Sequence, residues 1–179
     1  MCQKIMSKFK NQFRVDTTRL KDWDYSASGW YFVTICTKGN VPYLGEIVDG
    51  EMQLSQAGKI VAEEWVRTGE VRSNAILDRW VIMPNHMHAI LILEESEASH
   101  GDVSADTFML KANSLGSISN QFKGRCTKRI RNSGVPAFTW QARYYDHVIR
   151  NEKSLRKIQR YVEENPMKWD LDEYYSDGY

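Results

Sequence analysis

The chain has 179 residues, 42% of them hydrophobic and 26% charged, with a formal net charge of +1; it is long enough for one well-buried domain and carries no signature of disorder. Its longest apolar run, residues 89–93, is far too short to cross a bilayer, and the basic N-terminus lacks the apolar core of a secretory signal. Cys2, Cys36 and Cys126 lie too far apart for a disulfide framework or a metal knuckle, so a reducing, cytoplasmic setting is expected.

Residues 1–28 are polar and aperiodic and read as an N-terminal arm. The stretch 30–37, rich in β-branched and aromatic residues, predicts a buried strand. Residues 45–54 hold two short runs around Asp49-Gly50, a pair that favours a type I′ hairpin. Ser55 can then cap a helix reaching about Thr68, with Ala57, Ile60, Val61 and Trp65 on one face. Residues 75–83 and 86–93 read as two strands joined through Pro84-Asn85, and the acidic, aperiodic stretch 94–106 as a loop. A helix is predicted from about Asn113 to Arg131, with Leu115, Ile118, Phe122, Cys126 and Ile130 as its apolar stripe. Residues 143–149 alternate as a strand. Asn151 can cap a last helix whose Leu155, Ile158 and Val162 share a face, and Pro166 disfavours helical geometry at Asn165, so that helix is expected to stop there.

With the hairpin set aside, the order is strand, helix, strand, strand, helix, strand and one extra helix. This predicts an α+β, ferredoxin-like βαββαβ fold: an antiparallel sheet with helices on one face, plus the C-terminal helix. The expected division is an arm at 1–28, one domain at 29–169 and an acidic tail at 170–179. Such a fold hosts many activities, so chemistry has to be argued from particular residues.

Charge is segregated along the chain. Residues 111–160 hold 12 Lys and Arg against 2 Asp and Glu, whereas residues 51–110 hold 4 against 10. This is the footprint of a polyanion binder, although a solvated helix face produces a similar pattern. The helix at 113–131 carries Lys123, Arg125, Lys128, Arg129 and Arg131; Arg143, Arg150, Arg156 and Arg160 follow. These nine are the candidate phosphate contacts. Trp140, Tyr144 and Tyr145 are candidates for stacking on unpaired bases, with core packing as the alternative.

His86 and His88 flank Met87 at the start of a predicted strand, so period-two alternation points both imidazoles from the same face. Such a pair can chelate one divalent cation or can be two hydrogen-bonded core histidines; both readings satisfy the spacing. Tyr161 and Asn165 lie one turn apart on the last helix. A phenol titrates near pH ~10 and is a poor nucleophile unless a metal or neighbour activates it. Asn165 offers an amide oxygen as a third ligand, or a helix C-cap.

Four spaced motifs carry a resemblance. Gly-Trp-Tyr-Phe-Val-Thr at 29–34, Val-Ile-Met-Pro-Asn-His-Met-His-Ala-Ile-Leu at 81–91, Trp-Gln-Ala-Arg-Tyr-Tyr-Asp-His-Val-Ile-Arg-Asn at 140–151 and Tyr-Val-Glu-Glu-Asn-Pro at 161–166 occur in that order. Together, over roughly residues 29–169, they resemble the REP-associated tyrosine transposases, single-tyrosine enzymes of the His-hydrophobic-His nuclease type. The resemblance implies a ferredoxin-like nuclease fold, a Mg²⁺ or Mn²⁺ ion, and single-stranded or hairpin DNA as partner, with no membrane. By matched motif it makes His86 and His88 metal ligands and Tyr161 the nucleophile that forms a 5′-phosphotyrosine and frees a 3′-hydroxyl. Related insertion-sequence transposases often carry a glutamine four residues after the tyrosine as third ligand; here Asn165 stands there, one methylene shorter. Monomer and homodimer both fit the resemblance, with the tyrosine helix serving its own subunit or a partner. The competing reading is a non-catalytic nucleic-acid-binding ferredoxin-like domain; a third is a hydrolase in which water attacks and Tyr161 stands by.

Overall fold

A computed structural model of the chain describes residues 7–9, 12–14, 23–95 and 113–175. Two short strands, β1 (Ser7–Phe9) and β2 (Gln12–Arg14), pair with each other inside the stretch read as an arm. From residue 23 onward that stretch is docked: Trp23 Nε1 donates to Tyr31 Oη at 3.3 Å, and Leu115 N donates to Tyr25 O at 3.0 Å.

The main sheet contains β3 (Gly29–Cys36), β6 (Ala75–Ile82), β7 (His86–Leu93) and β8 (Tyr145–Ile149) in the order β6-β7-β3-β8, with every neighbouring pair antiparallel. Helix α1 (Gln56–Glu70) carries the chain from β3 to β6 over β7, and α2 (Leu115–Asn132) carries it from β7 to β8 over β3. The fold is the expected ferredoxin-like βαββαβ. Between β3 and α1 lies the hairpin of β4 (Gly45–Val48) and β5 (Glu51–Leu54), turned by Asp49 and Gly50 at φ 52° and 78°, as a type I′ turn requires. The acidic loop expected at 94–106 lies, from residue 96 on, outside the described residues.

Helix starts follow their caps. Ser55 accepts from Gly58 N, Ser114 from Ser117 N, and Asn151 from Ser154 N, the last at the head of α3 (Glu152–Glu164). Asn113, with φ 61°, cannot open α2, so that helix begins two residues later than the expected start. Helix α3 ends at Glu164, where the sequence places its end, but the geometry expected before Pro166 needs a correction. Asn165 keeps helical angles (φ −58°, ψ −43°), and Pro166 opens a 3₁₀ turn reaching Leu171. Proline fits at the first position of a helical turn because no amide hydrogen is needed there.

The two sheet faces are covered differently. Tyr31, Val33, Ile35, Met87, Ala89 and Leu91 meet the apolar stripes of α1 and α2 in the larger core. The alternate residues Phe32, Ile90 and Ile149 meet Val162, with Leu155 and Ile158 beside it, so α3 covers the second face. Two polar ties latch α3 to β6: Gln159 Nε2 to Asp78 Oδ2 at 2.6 Å, and Arg79 with Glu163 at 2.6 Å. No helix among the described residues is long and apolar enough to cross a membrane.

Candidate active site

His86 opens β7 directly after the Pro84-Asn85 turn and pairs with Cys36 of β3; His88 pairs with Thr34. Alternation turns both rings toward the α3 face, as the spacing predicts. Both residues are buried, and their Nε2 atoms are 3.0 Å apart. Phe32 stacks on His88 with ring centroids 5.3 Å apart and fixes the plane of that imidazole.

The other ring nitrogens are held from behind. His86 Nδ1 lies 2.8 Å from Asn85 Oδ1, and His88 Nδ1 lies 2.8 Å from Thr34 Oγ1. Burial, and then the neighbouring His88, push the His86 pKa well below the usual histidine value, so this ring stays neutral and keeps a lone pair. Two imidazoles facing each other through their ε nitrogens suit a shared cation.

Helix α3 brings the nucleophile candidate to this pair. Tyr161 Oη is 3.1 Å from His88 Nε2, its ring is edge-on to Phe32, and the residue is 43% exposed. Burial of the hydroxyl, then the charges of Asp172 and Glu173, raise its pKa to about 12. The phenol is therefore protonated at neutral pH and must lose its proton in any nucleophilic step.

Sequence reading placed residues 170–179 in a tail, yet the chain turns back at 166–171 and enters the site. Asp172 Oδ2 lies 3.5 Å from Tyr161 Oη, 3.0 Å from Asn165 Nδ2 and 3.9 Å from His88 Nε2. Ligand atoms of His86, His88 and Asp172 all lie within 4.8 Å of one another. Burial would raise the Asp172 carboxyl, but His88, the Tyr174 N–H and Asn165 hold it well below the ordinary range, so it is an anion. Tyr174 sets its ring 4.7 Å from that of His86, and its carbonyl accepts from Asn85 Nδ2 at 2.8 Å. Asn165 is buried; its Nδ2 serves Asp172, while its buried Oδ1 has no hydrogen-bond partner among the described residues. With helical angles, Asn165 is not the left-handed cap that asparagine commonly supplies.

The basic residues part company. Helix α2 lies on the sheet face opposite the histidines, and several of its cations are tied internally. Lys123 Nζ donates to the Gln141 and Ala142 carbonyls at 2.5 and 3.1 Å, and Arg131 Nε to Phe138 O at 2.9 Å. Arg129 bridges to Glu63 at 2.6 Å and to Glu64 at 2.9 Å on α1. Arg125 is half-buried with Nη1 sealed from solvent, and Arg156 pairs with Glu152 at 3.3 Å. Lys128, Arg143, Arg150 and Arg160 are exposed. Of the stacking candidates, Trp140 is buried against Phe122 and Phe138 and Tyr144 packs on the larger core, whereas Tyr145 is exposed on the histidine face.

The Arg129 contact carries a stability prediction. Glu64 is buried and its Oε2 already lacks a partner, so Arg129→Ala leaves an uncompensated buried carboxylate. The expected loss is about 2–3 kcal/mol by denaturant unfolding, below the ~3–5 kcal/mol of a wholly buried pair because Arg129 is half-exposed. A change under about 0.5 kcal/mol would mean that the bridge is a solvated surface pair.

No family model matches the chain. An uncharacterized protein of Haemophilus influenzae is 35% identical over 165 residues, covering 89% of this chain and 92% of that protein. A REP-associated tyrosine transposase of Escherichia coli is 32% identical over 92 residues, 51% of this chain and 44% of the relative, so the match spans under half of that protein. A second Haemophilus influenzae protein, provisionally given the same family name, is 26% identical over 146 residues and 74% of its length. Among solved structures, a REP-associated tyrosine transposase bound to a REP hairpin has a TM-score of 0.60 at 22% identity, over 87% of this chain and 76% of that one, a likeness of fold. The order of motifs in the sequence, the sheet topology and these named relatives point the same way: the chain is similar to the REP-associated tyrosine transposases in sequence and shares their fold.

Proposed function

We propose that this chain is a metal-dependent endonuclease and transposase that cleaves and rejoins single-stranded DNA at hairpin sequences through a 5′-phosphotyrosine on Tyr161. The observation that carries the proposal is the seat of the Tyr161 hydroxyl, 3.1 Å from an imidazole nitrogen that is itself 3.0 Å from a second one.

The residues present fit a divalent ion. His86 and His88 offer two nitrogens, the buried and unpartnered Asn165 Oδ1 a neutral oxygen, and Asp172 an anionic one. Mixed imidazole and oxygen donors suit Mn²⁺, and Mg²⁺ with more difficulty. When bound, such an ion polarises a phosphoryl oxygen and offsets its negative charge. The tyrosine oxygen then attacks phosphorus as the P–O3′ bond breaks. The phenolic proton passes to the Asp172 carboxylate or to solvent, and the departing 3′-oxygen takes up a proton to become a hydroxyl. Attack of a 3′-hydroxyl on the phosphotyrosine, with the proton returned to Tyr161, rejoins a strand.

The relative solved with a REP hairpin supports hairpin DNA as the partner. For this chain, the exposed Arg143, Arg150 and Arg160 around β8 and α3, with Arg156, are the proposed phosphate contacts near the tyrosine. Lys128 and Arg125 remain on α2, where Lys123, Arg129 and Arg131 each commit at least one donor to acceptors of the protein. Tyr145 is the proposed stacking platform.

The test is incubation of the chain with Mn²⁺ or Mg²⁺ and hairpin oligonucleotides bearing single-stranded flanks, followed by mass spectrometry of the digested protein. A nucleotide adduct on the peptide carrying Tyr161 is expected. Cut DNA with no adduct would assign the attack to water, and binding without cutting would make the chain a nucleic-acid-binding module.

A further inference from the structure

The hydrogen bond behind His86 decides which nitrogen of that ring carries the proton. Asn85 is buried, and its Nδ2 donates to two backbone carbonyls, Asn40 O at 3.1 Å and Tyr174 O at 2.8 Å. Both amide hydrogens are thereby used, and a flipped amide would press its oxygen against two carbonyl oxygens. Asn85 Oδ1 must therefore be the atom 2.8 Å from His86 Nδ1. A carboxamide oxygen only accepts, so His86 Nδ1 carries the hydrogen and His86 Nε2 is bare.

That bare nitrogen faces His88 Nε2 at 3.0 Å. Two lone pairs at that distance repel, so without an ion a hydrogen is needed on His88 Nε2, which has His86 Nε2 at 3.0 Å and Tyr161 Oη at 3.1 Å around it. His88 Nδ1 is then an acceptor, and the Thr34 hydroxyl, 2.8 Å away, donates to it. An ion between the rings needs the opposite arrangement in His88, with Nε2 bare and Nδ1–H donating. A hydroxyl serves both cases by rotating, because it is a donor and an acceptor at once.

We infer that Asn85 and Thr34 are positioning residues for the metal site: Asn85 locks His86 in the Nδ1–H tautomer, and Thr34 lets His88 exchange tautomer as an ion enters. The exchange moves one proton: the Nε2 hydrogen of His88 goes to solvent and one is taken up at Nδ1. The inference rests on the metal reading of the histidine pair and names what that site needs from two residues that are not its ligands. Outer partners of metal-bound histidines fix ring orientation and tautomer in the same way.

The test is ¹⁵N–¹H correlation NMR of histidine-labelled full chain, metal-free and with Cd²⁺ as a diamagnetic probe, with Mn²⁺ affinity measured by electron paramagnetic resonance. Metal-free wild type is expected to show His86 as Nδ1–H and His88 as Nε2–H, and loaded wild type both as Nδ1–H. Thr34→Val is nearly isosteric but can neither donate nor accept; it should bind Mn²⁺ roughly 10- to 100-fold more weakly, with Thr34→Ser restored to within a few-fold of wild type. In Asn85→Ala, His86 should lose its single tautomer. His86 found as Nε2–H in the wild type, or Mn²⁺ bound equally by wild type and all three variants, would overturn this inference alone. A wild-type chain that binds no Mn²⁺ overturns it together with the metal reading.

Discussion

Tyr161→Phe is expected to leave no covalent DNA adduct while hairpin binding stays within a few-fold of wild type. The substitution deletes one oxygen and keeps the ring that lies edge-on to Phe32 and beside His88. The lost contacts are those to His88 Nε2 and Asp172, at a residue 43% exposed, so stability should change by less than about 1 kcal/mol. Binding is expected to persist because the proposed phosphate contacts are cations, which the variant leaves untouched. The measurement is a denaturing gel and mass spectrometry on DNA-treated variant beside wild type. An adduct retained at wild-type level would move the nucleophile elsewhere, and the structure narrows the choice. Tyr144 packs on the larger core, across the sheet from the histidines. Tyr145 is exposed on the histidine face, and Tyr174 rests against His86.

What the sequence made legible divides along the range of the interactions involved. Local signals placed α1, α2, α3 and the hairpin nearly to the residue, because caps, apolar stripes and the Asp49-Gly50 turn are all set within a few positions. The His86–His88 geometry was equally local, since alternation along one strand determines it. Tyr161 was not legible from the residues alone among nine tyrosines; the spaced motifs selected it. Asp172 was missed because an acid in an acidic C-terminal stretch carries no pattern, and its entry into the site depends on the turn at 166–171. Thr34 is opposite His88 only through the β3–β7 register, which no local spacing reports. The charge cluster on α2 was read correctly as charge, but its pairing was not. Arg129 meets Glu63 and Glu64 across a helix–helix contact 66 and 65 positions away.

His86→Ala and His88→Ala are each expected to abolish the thermal stabilisation that Mn²⁺ gives the wild-type chain. An ion that binds only the folded state adds RT ln(1 + [L]/Kd), about 2.7 kcal/mol at a hundredfold excess over Kd. In a chain of this size that corresponds to a rise of roughly 5–10 °C in Tm. Both variants also lower the metal-free Tm, because each removes a buried ring: His86 with its Asn85 bond, His88 with its Thr34 bond and its stack on Phe32. The readout is therefore the increment on adding Mn²⁺, measured for each protein against its own metal-free Tm. Tyr161→Phe is the control, since it keeps both nitrogens and should keep the full increment while losing the adduct. An undiminished increment in either histidine variant would place the ion away from the pair. The converse result, increments lost in both variants and kept in Tyr161→Phe, separates holding the metal from attacking the phosphate and assigns the first task to β7 and the second to α3.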